Sequence, residues 1–277
     1  MPREQGIDAE TRSLNIATVR AQWGLAECIE RCARRGIPGI APWRDALADA
    51  GGVQRAAQRI RQGGLAVSSL CGAGMFTARD QAARRSAIDE TRRGVGEAYA
   101  LEAACLVVVS GGLPPGSKDL QGAREMVRDG LAEVLSEARA ARVMLAVEPQ
   151  HPVACADRSV LSTLAHALDL CDELGSGVAV ALDVYHLWWD PDLARQIARA
   201  QGRIAAFQVS DWLVPTTELA PDRGMPGDGV IDIPRLRAMA EAAGYKSWIE
   251  VEVLSRRWWA QDPNEVLRIA QERHAAC

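Results

Sequence analysis

The segments VMLAVEPQ (Val143–Gln150) and VAVALDVYH (Val178–His186) decide the fold. Each is a short apolar run with β-branched residues that ends on a carboxylate, Glu148 in the first and Asp183 in the second. Between them, Asp157–Leu174 has helical periodicity and stops at Gly175. Strand, long crossover and strand make a parallel pair, because parallel strands cannot be joined by a tight turn.

Outward from this pair the same unit recurs. Apolar runs stand at Leu14–Val19, Pro38–Pro42, Ala66–Leu70, Cys105–Val109, Val143–Val147, Val178–Leu182, Ile204–Val209 and Ile249–Leu254. Their starts lie roughly 24 to 45 residues apart, which leaves room for one helix each time. The helical stretches are Ala26–Arg35, Asp80–Leu101, Ser117–Ala141 with Ser117 as N-cap, Asp157–Leu174, Asp190–Ala200, Ile233–Ala243 and Pro263–His274. Glycines at 36, 175, 202 and 244 follow four of them as stop signals. No G-x-G-x-x-G follows the first run, which argues against a dinucleotide-binding sheet. Eight units in 277 residues predict one (β/α)₈ barrel, a fold that typically uses about 250. The whole chain, 1–277, reads as one such TIM-barrel domain, with 1–12 as a flexible N-terminal segment.

Composition narrows the function. Net charge is −4 and the pI is near 5.7, so no basic surface points to nucleic acid. The longest strongly apolar stretch, Cys105–Val109, is far too short to span a bilayer. The first dozen residues are polar, with no apolar signal region after them. Seven cysteines without a C-x-x-C read as reduced, buried thiols. A cytoplasmic enzyme acting on a small molecule is the expectation, with a homo-oligomer among the options.

In such barrels the chemistry sits at the C-terminal ends of the strands. The first four runs offer little there. The last four end on or carry Glu148, Asp183 with His186 three residues on, Gln208 with Asp211, and Glu250 with Glu252. Acids closing neighbouring strands repel one another and are costly to bury unless a cation meets them. A divalent metal removes both costs. Carboxylate and amide oxygens favour Mn²⁺ or Mg²⁺, and a histidine would widen the choice to Co²⁺ or Zn²⁺.

These residues resemble the xylose isomerase-like family of TIM barrels, which includes ketose 3-epimerases, sugar-phosphate epimerases, hydroxypyruvate isomerases, inosose dehydratases and, more distantly, endonuclease IV. The family pattern is a Glu after strand five, L-D-x-x-H after strand six, H-x-x-D on strand seven, R-x-x-P-G-[DE]-G, and a Glu on strand eight. Here it reads Glu148, Leu182-Asp183-Val184-Tyr185-His186, Gln208-Val209-Ser210-Asp211, Arg223-Gly224-Met225-Pro226-Gly227-Asp228-Gly229 and Glu252. Glu252 is preferred to Glu250 because Val251-Glu252-Val253-Leu254 matches the family's apolar-Glu-x-apolar ending. One departure matters: the family's third ligand is histidine, and Gln208 stands there.

The resemblance implies a metal held by Glu148, Asp183, Gln208 and Glu252, with Glu148 and Glu252 moving a proton beside a metal-bound carbonyl. It implies His186 and Arg223 as holders of substrate oxygens. Trp43, Trp188, Trp189, Trp212, Trp258 and Trp259 follow the runs, and apolar ring faces suit the C–H faces of a sugar. Trp188 and Trp212 are the substrate-facing candidates. An inosose dehydratase-like lyase and a non-catalytic binding barrel are the alternatives. An endonuclease IV-like nuclease is disfavoured, since those sites need several histidines and this chain has four in all.

Overall fold

A computed structural model describes residues 10–218, 221–275 and 277. The strands are β1 (Arg12–Asn15), β2 (Gly39–Ala41), β3 (Ala66–Val67), β4 (Leu70–Gly74), β5 (Leu106–Val109), β6 (Leu145–Glu148), β7 (Val178–Asp183), β8 (Ile204–Val209), β9 (Asp211–Trp212), β10 (Arg223–Gly224) and β11 (Ile249–Val251). Nine of them form one sheet in the order β3-β2-β1-β11-β8-β7-β6-β5-β4. Every pairing in it is parallel.

The two ends of that order, β3 and β4, are pieces of one strand with only Ser68 and Ser69 between them. The ring closes there: Val67 O accepts from Ala104 N at 3.0 Å, and Cys71 N donates to Pro42 O at 3.0 Å. The chain is a (β/α)₈ barrel whose third strand is broken. The sequence predicts one uninterrupted run, Ala66–Leu70. The break has a local cause. Both serine hydroxyls turn inward to the same Glu250 oxygen, at 2.8 Å each. Two successive residues cannot both face inward in a regular strand, where side chains alternate.

The N-terminal segment expected over 1–12 lies mostly outside the described residues, but Arg12 already pairs with Ile249 in the ring. Helices Leu25–Arg34, Gln81–Ala100, Leu120–Ala141, Leu193–Arg199, Ile233–Ala242 and Pro263–His274 follow the periodic stretches closely. Three details differ. Asp119, not Ser117, caps the fourth-crossover helix, accepting from Gly122 N at 2.8 Å. The helix expected from Asp157 begins at Leu164, where Thr163 Oγ1 accepts from His166 N at 3.3 Å. Val53–Gln62 is also helical; it buries only Ala56, Ala57 and Ile60, too thin a stripe to stand out in the sequence.

Apolar side chains form two cores. The larger lies between ring and helices. The smaller lines the ring's interior with Cys71, Cys105, Val107, Ala146, Ala181 and Ala206. Such small residues leave room inside the barrel, and polar side chains take it. All seven cysteines are free thiols, and burial pushes Cys28 up to about 12. Among the described residues no helix is long and apolar enough to cross a membrane.

Candidate active site

Glu148 and Asp183 are the last residues of β6 and β7. Gln208 pairs with Asp183 on one side and with Glu250 on the other. Glu252 follows β11 and still bonds in ladder fashion, its N–H reaching Val209 O at 3.0 Å. Thr18 pins this strand end, donating to Val251 O at 3.1 Å and accepting from Val253 N at 3.0 Å. The result gathers Glu148, Asp183 and Glu252 so that one ligand oxygen of each lies within 4.8 Å of the others. All three are buried, Asp183 completely.

Burial and mutual repulsion dominate the electrostatics. Burial, then the Asp183 charge, pushes the Glu148 carboxyl up to about 7. Burial also raises Asp183, against the pull of Arg223, and raises Glu252 well above the ordinary carboxylate range. One cation already serves the cluster. Arg223 Nη1 donates to Asp183 Oδ2 at 2.9 Å and to Glu252 Oε2 at 3.2 Å. Its guanidinium also lies 4.5 Å over the Tyr185 ring.

The loop that carries Arg223 is held by Asp211. Its carboxylate accepts from the backbone N–H groups of Trp212, Gly227, Gly229 and Ile231 at 2.8–3.0 Å. Gly229 is required there, since a Cβ would meet Trp212 O at 2.2 Å. His186 lies between two donors: Arg223 Nη2 is 3.1 Å from its Nε2 and the His151 N–H is 3.3 Å from its Nδ1, with Asp183 Oδ2 3.6 Å from Nε2. Burial, then the charge of Arg223, holds this imidazole well below its usual range, so it is neutral at physiological pH.

An aromatic wall flanks the acids. Trp212 stacks on Tyr185 at 4.8 Å and lies 5.0 Å from His151 and 5.7 Å from Trp188. The other indoles brace the loops: Trp43 donates to Asn15 Oδ1, Trp189 to His186 O and Trp259 to Ala17 O. Trp258 is buried.

The expectation that the first half contributes little is corrected. Asn15 Nδ2, Ser68 Oγ, Ser69 Oγ and Gln208 Nε2 all donate to Glu250, at 2.8, 2.8, 2.8 and 3.0 Å. Three of these four residues come from the first and third strands. Polar residues inside apolar runs were the available signal. Gln150, which donates to Glu148 Oε2 at 2.6 Å, also had no motif to mark it.

The donor set fits a hard divalent cation. Three buried carboxylates converge, and on the strand next to Asp183 the Gln208 Oε1 is buried without a hydrogen-bond partner. A buried bare amide oxygen is costly unless something electropositive meets it.

Residues 26–276 match the family described as the xylose isomerase-like TIM barrel. This chain belongs to that family. Among curated proteins none matches it. Of solved structures, protein SMc04130 from Sinorhizobium meliloti 1021 is 51% identical, with TM-score 0.95 over 97% of this chain and 98% of that one. The zinc-bound IolI protein is 18% identical, with TM-score 0.83 over 96% and 97%. The 3-keto-D-glucoside 4-epimerase YcjR from E. coli is 20% identical, with TM-score 0.78 over 97% and 99%. The last two likenesses are of fold.

Proposed function

We propose that this protein is a metal-dependent sugar isomerase or epimerase that moves a proton next to a carbonyl. The supporting observation is the convergence of three buried carboxylates within 4.8 Å at the strand ends, with the bare Gln208 Oε1 on the strand next to Asp183. Glu148, Asp183, Gln208 and Glu252 would hold Mn²⁺ or Mg²⁺, with Co²⁺ or Zn²⁺ as further candidates. When bound, such an ion supplies Lewis-acid polarisation of the ketose carbonyl and hydroxyl oxygens.

The rest falls to the chain's own groups. Glu148 and Glu252 sit on different strands and can approach a substrate carbon from two directions. One carboxylate takes the proton; the same or the other group returns it. Arg223 and neutral His186 bind substrate oxygens. Trp188 and Trp212 cover an apolar C–H face. The low histidine count and the net charge of −4 weigh against a nuclease, and seven free thiols suit a reducing cytoplasm.

The test is metal analysis followed by turnover of free and phosphorylated ketoses with added Mn²⁺ in deuterated water. Epimer or isomer formation with solvent deuterium at the carbon supports the reading. Loss of water from the substrate would assign a lyase. Tight sugar binding with no exchange would leave a binding barrel and end the catalytic reading.

A further inference from the structure

We infer that Glu250 is a positioning residue for the metal centre, fixing the Gln208 side-chain amide so that its oxygen is the atom presented for ligation. The inference rests on the metal-site reading above and assigns a role to an acid that reading leaves unused. Glu250 is 1% exposed and lies two residues before Glu252 on the same interior face. Among the described residues no cation touches it. Its Oε1 accepts from Asn15 Nδ2 and Gln208 Nε2, and its Oε2 from Ser68 Oγ and Ser69 Oγ.

Two of the donors, Asn15 and Ser68, are themselves constrained. Asn15 Oδ1 accepts from Ala17 N at 3.0 Å and Trp43 Nε1 at 2.8 Å, so the Asn15 amide cannot turn over. Ser68 lies 2.6 Å from Ser13 Oγ; with the Ser68 hydrogen given to Glu250, Ser13 is the donor in that contact. The carboxylate is therefore fixed from the first and third strands of the barrel, independently of Gln208.

Gln208 follows from that. Its amide has one orientation that attracts a carboxylate, the one with Nε2 towards Glu250. The reversed amide would set Oε1 against a carboxylate oxygen. With Nε2 committed, Oε1 is left buried and unpartnered beside Asp183, its register neighbour. Donation to a carboxylate also draws electron density onto Oε1, which strengthens a neutral ligand. Glu250 thus does for Gln208 what a carboxylate does for a ligating imidazole.

The test is Mn²⁺ affinity by calorimetry in a double-mutant cycle of Glu250→Leu and Gln208→Leu, with thermal melts to confirm folding. Glu250→Leu should weaken Mn²⁺ about 10–100-fold, the usual cost of losing a group that orients a ligand. In the Gln208→Leu background it should change little, because the effect passes through Gln208. Glu250→Gln keeps an acceptor for Nε2, with the serine hydroxyls turned to accept, and should stay within about fivefold of wild type. Equal losses in both backgrounds would mean general damage and overturn the inference.

A crystal structure of the Mn²⁺-loaded wild type needs no variant. Oε1 at about 2.0–2.6 Å from the ion with Nε2 on Glu250 is the expected result. An ion held by the three acids with Gln208 turned away overturns the inference and leaves the metal reading standing. A wild type that binds no Mn²⁺ ends the metal reading itself.

Discussion

Glu250 and Glu252 stand two residues apart and face the same interior, yet the barrel treats them in opposite ways. Glu250, on the floor of the polar layer, has four neutral donors within 3.0 Å. Glu252, at the mouth, shares one guanidinium with Asp183 and has Glu148 nearby as a further negative neighbour. A carboxylate surrounded by oriented dipoles is settled, whereas three carboxylates sharing one cation carry a surplus of negative charge. The lesson is that acid count does not mark a site. The mouth is the proposed site because its charge is left short of partners, and the floor is its proposed support because its charge is not.

The largest expected effect breaks the mouth by removing its cation. Arg223→Leu should destabilise the metal-free protein by about 3 kcal/mol at pH 8, because it leaves buried charges uncompensated. At pH 5 the loss should shrink, since acids whose carboxyls are pushed upward can take protons instead. Saturating Mn²⁺ should recover much of the loss in urea unfolding. A variant as stable as wild type at pH 8 would show that the acids do not depend on Arg223.

Next come the two glutamates. Glu148→Gln and Glu252→Gln each keep an oxygen that can ligate and remove the basic carboxylate. General-base catalysis is worth about 10²–10⁴-fold, so each should cut kcat at least about a hundredfold, roughly 2.7 kcal/mol in the barrier. Exchange of the substrate C–H with deuterated solvent should vanish in at least one of them. If both exchange at the parent rate, neither is the base.

How much of this contrast was legible in the sequence depends on charge and on alternation. Glu148 and Asp183 stood out because an acid closing an apolar run is expensive. Gln208, an uncharged residue in IAAFQV, was legible as an oxygen-bearing residue near a strand end, and only the family resemblance made it a ligand. Glu250 and Glu252 could not be separated by facing, since residues two apart share a face; only the motif favoured the second. Asn15, Ser68 and Ser69 gave only a weak signal, for a different reason. Small polar residues in short strands are common, and their meaning lies in contacts across 181 to 235 residues of chain. The broken third strand has the same origin, since its cause is Glu250 and not the local sequence. The barrel itself was legible from the eight-fold rhythm, apart from the predominantly polar helix Val53–Gln62, which buries only Ala56, Ala57 and Ile60.

A smaller effect sharpens the comparison at Gln208, the residue that joins floor to mouth. Gln208→His restores the family's usual ligand while keeping an N–H that can point at Glu250. Imidazole suits later transition metals, so Zn²⁺ and Co²⁺ should gain about tenfold over Mg²⁺, or roughly 1.4 kcal/mol. Competition calorimetry reads this ratio. Equal gains for all metals would mean that residue 208 does not ligate.

The smallest effect is the pH dependence of the metal-free protein, and its sign follows from the mouth alone. The Glu148 carboxyl is pushed up to about 7 by burial and then by Asp183, from an ordinary 4.5. The folded state therefore holds this proton more tightly than the unfolded chain does. Stability from that proton is complete below pH 4.5 and is lost as pH rises through 7. Glu252 and Asp183, raised in the same direction, act with the same sign. The melting temperature of the metal-free protein should fall by a few degrees between pH 5 and pH 8, since about 1 kcal/mol shifts a domain of this size by roughly 2–4 °C. Mn²⁺ should flatten or invert that slope, because a cation at the mouth favours the ionised carboxylates. Differential scanning calorimetry with and without chelator measures both slopes. A metal-free protein that gains stability from pH 5 to pH 8 would show that the Arg223 guanidinium already outweighs the surplus of acid, and the contrast between floor and mouth would then lose its electrostatic basis.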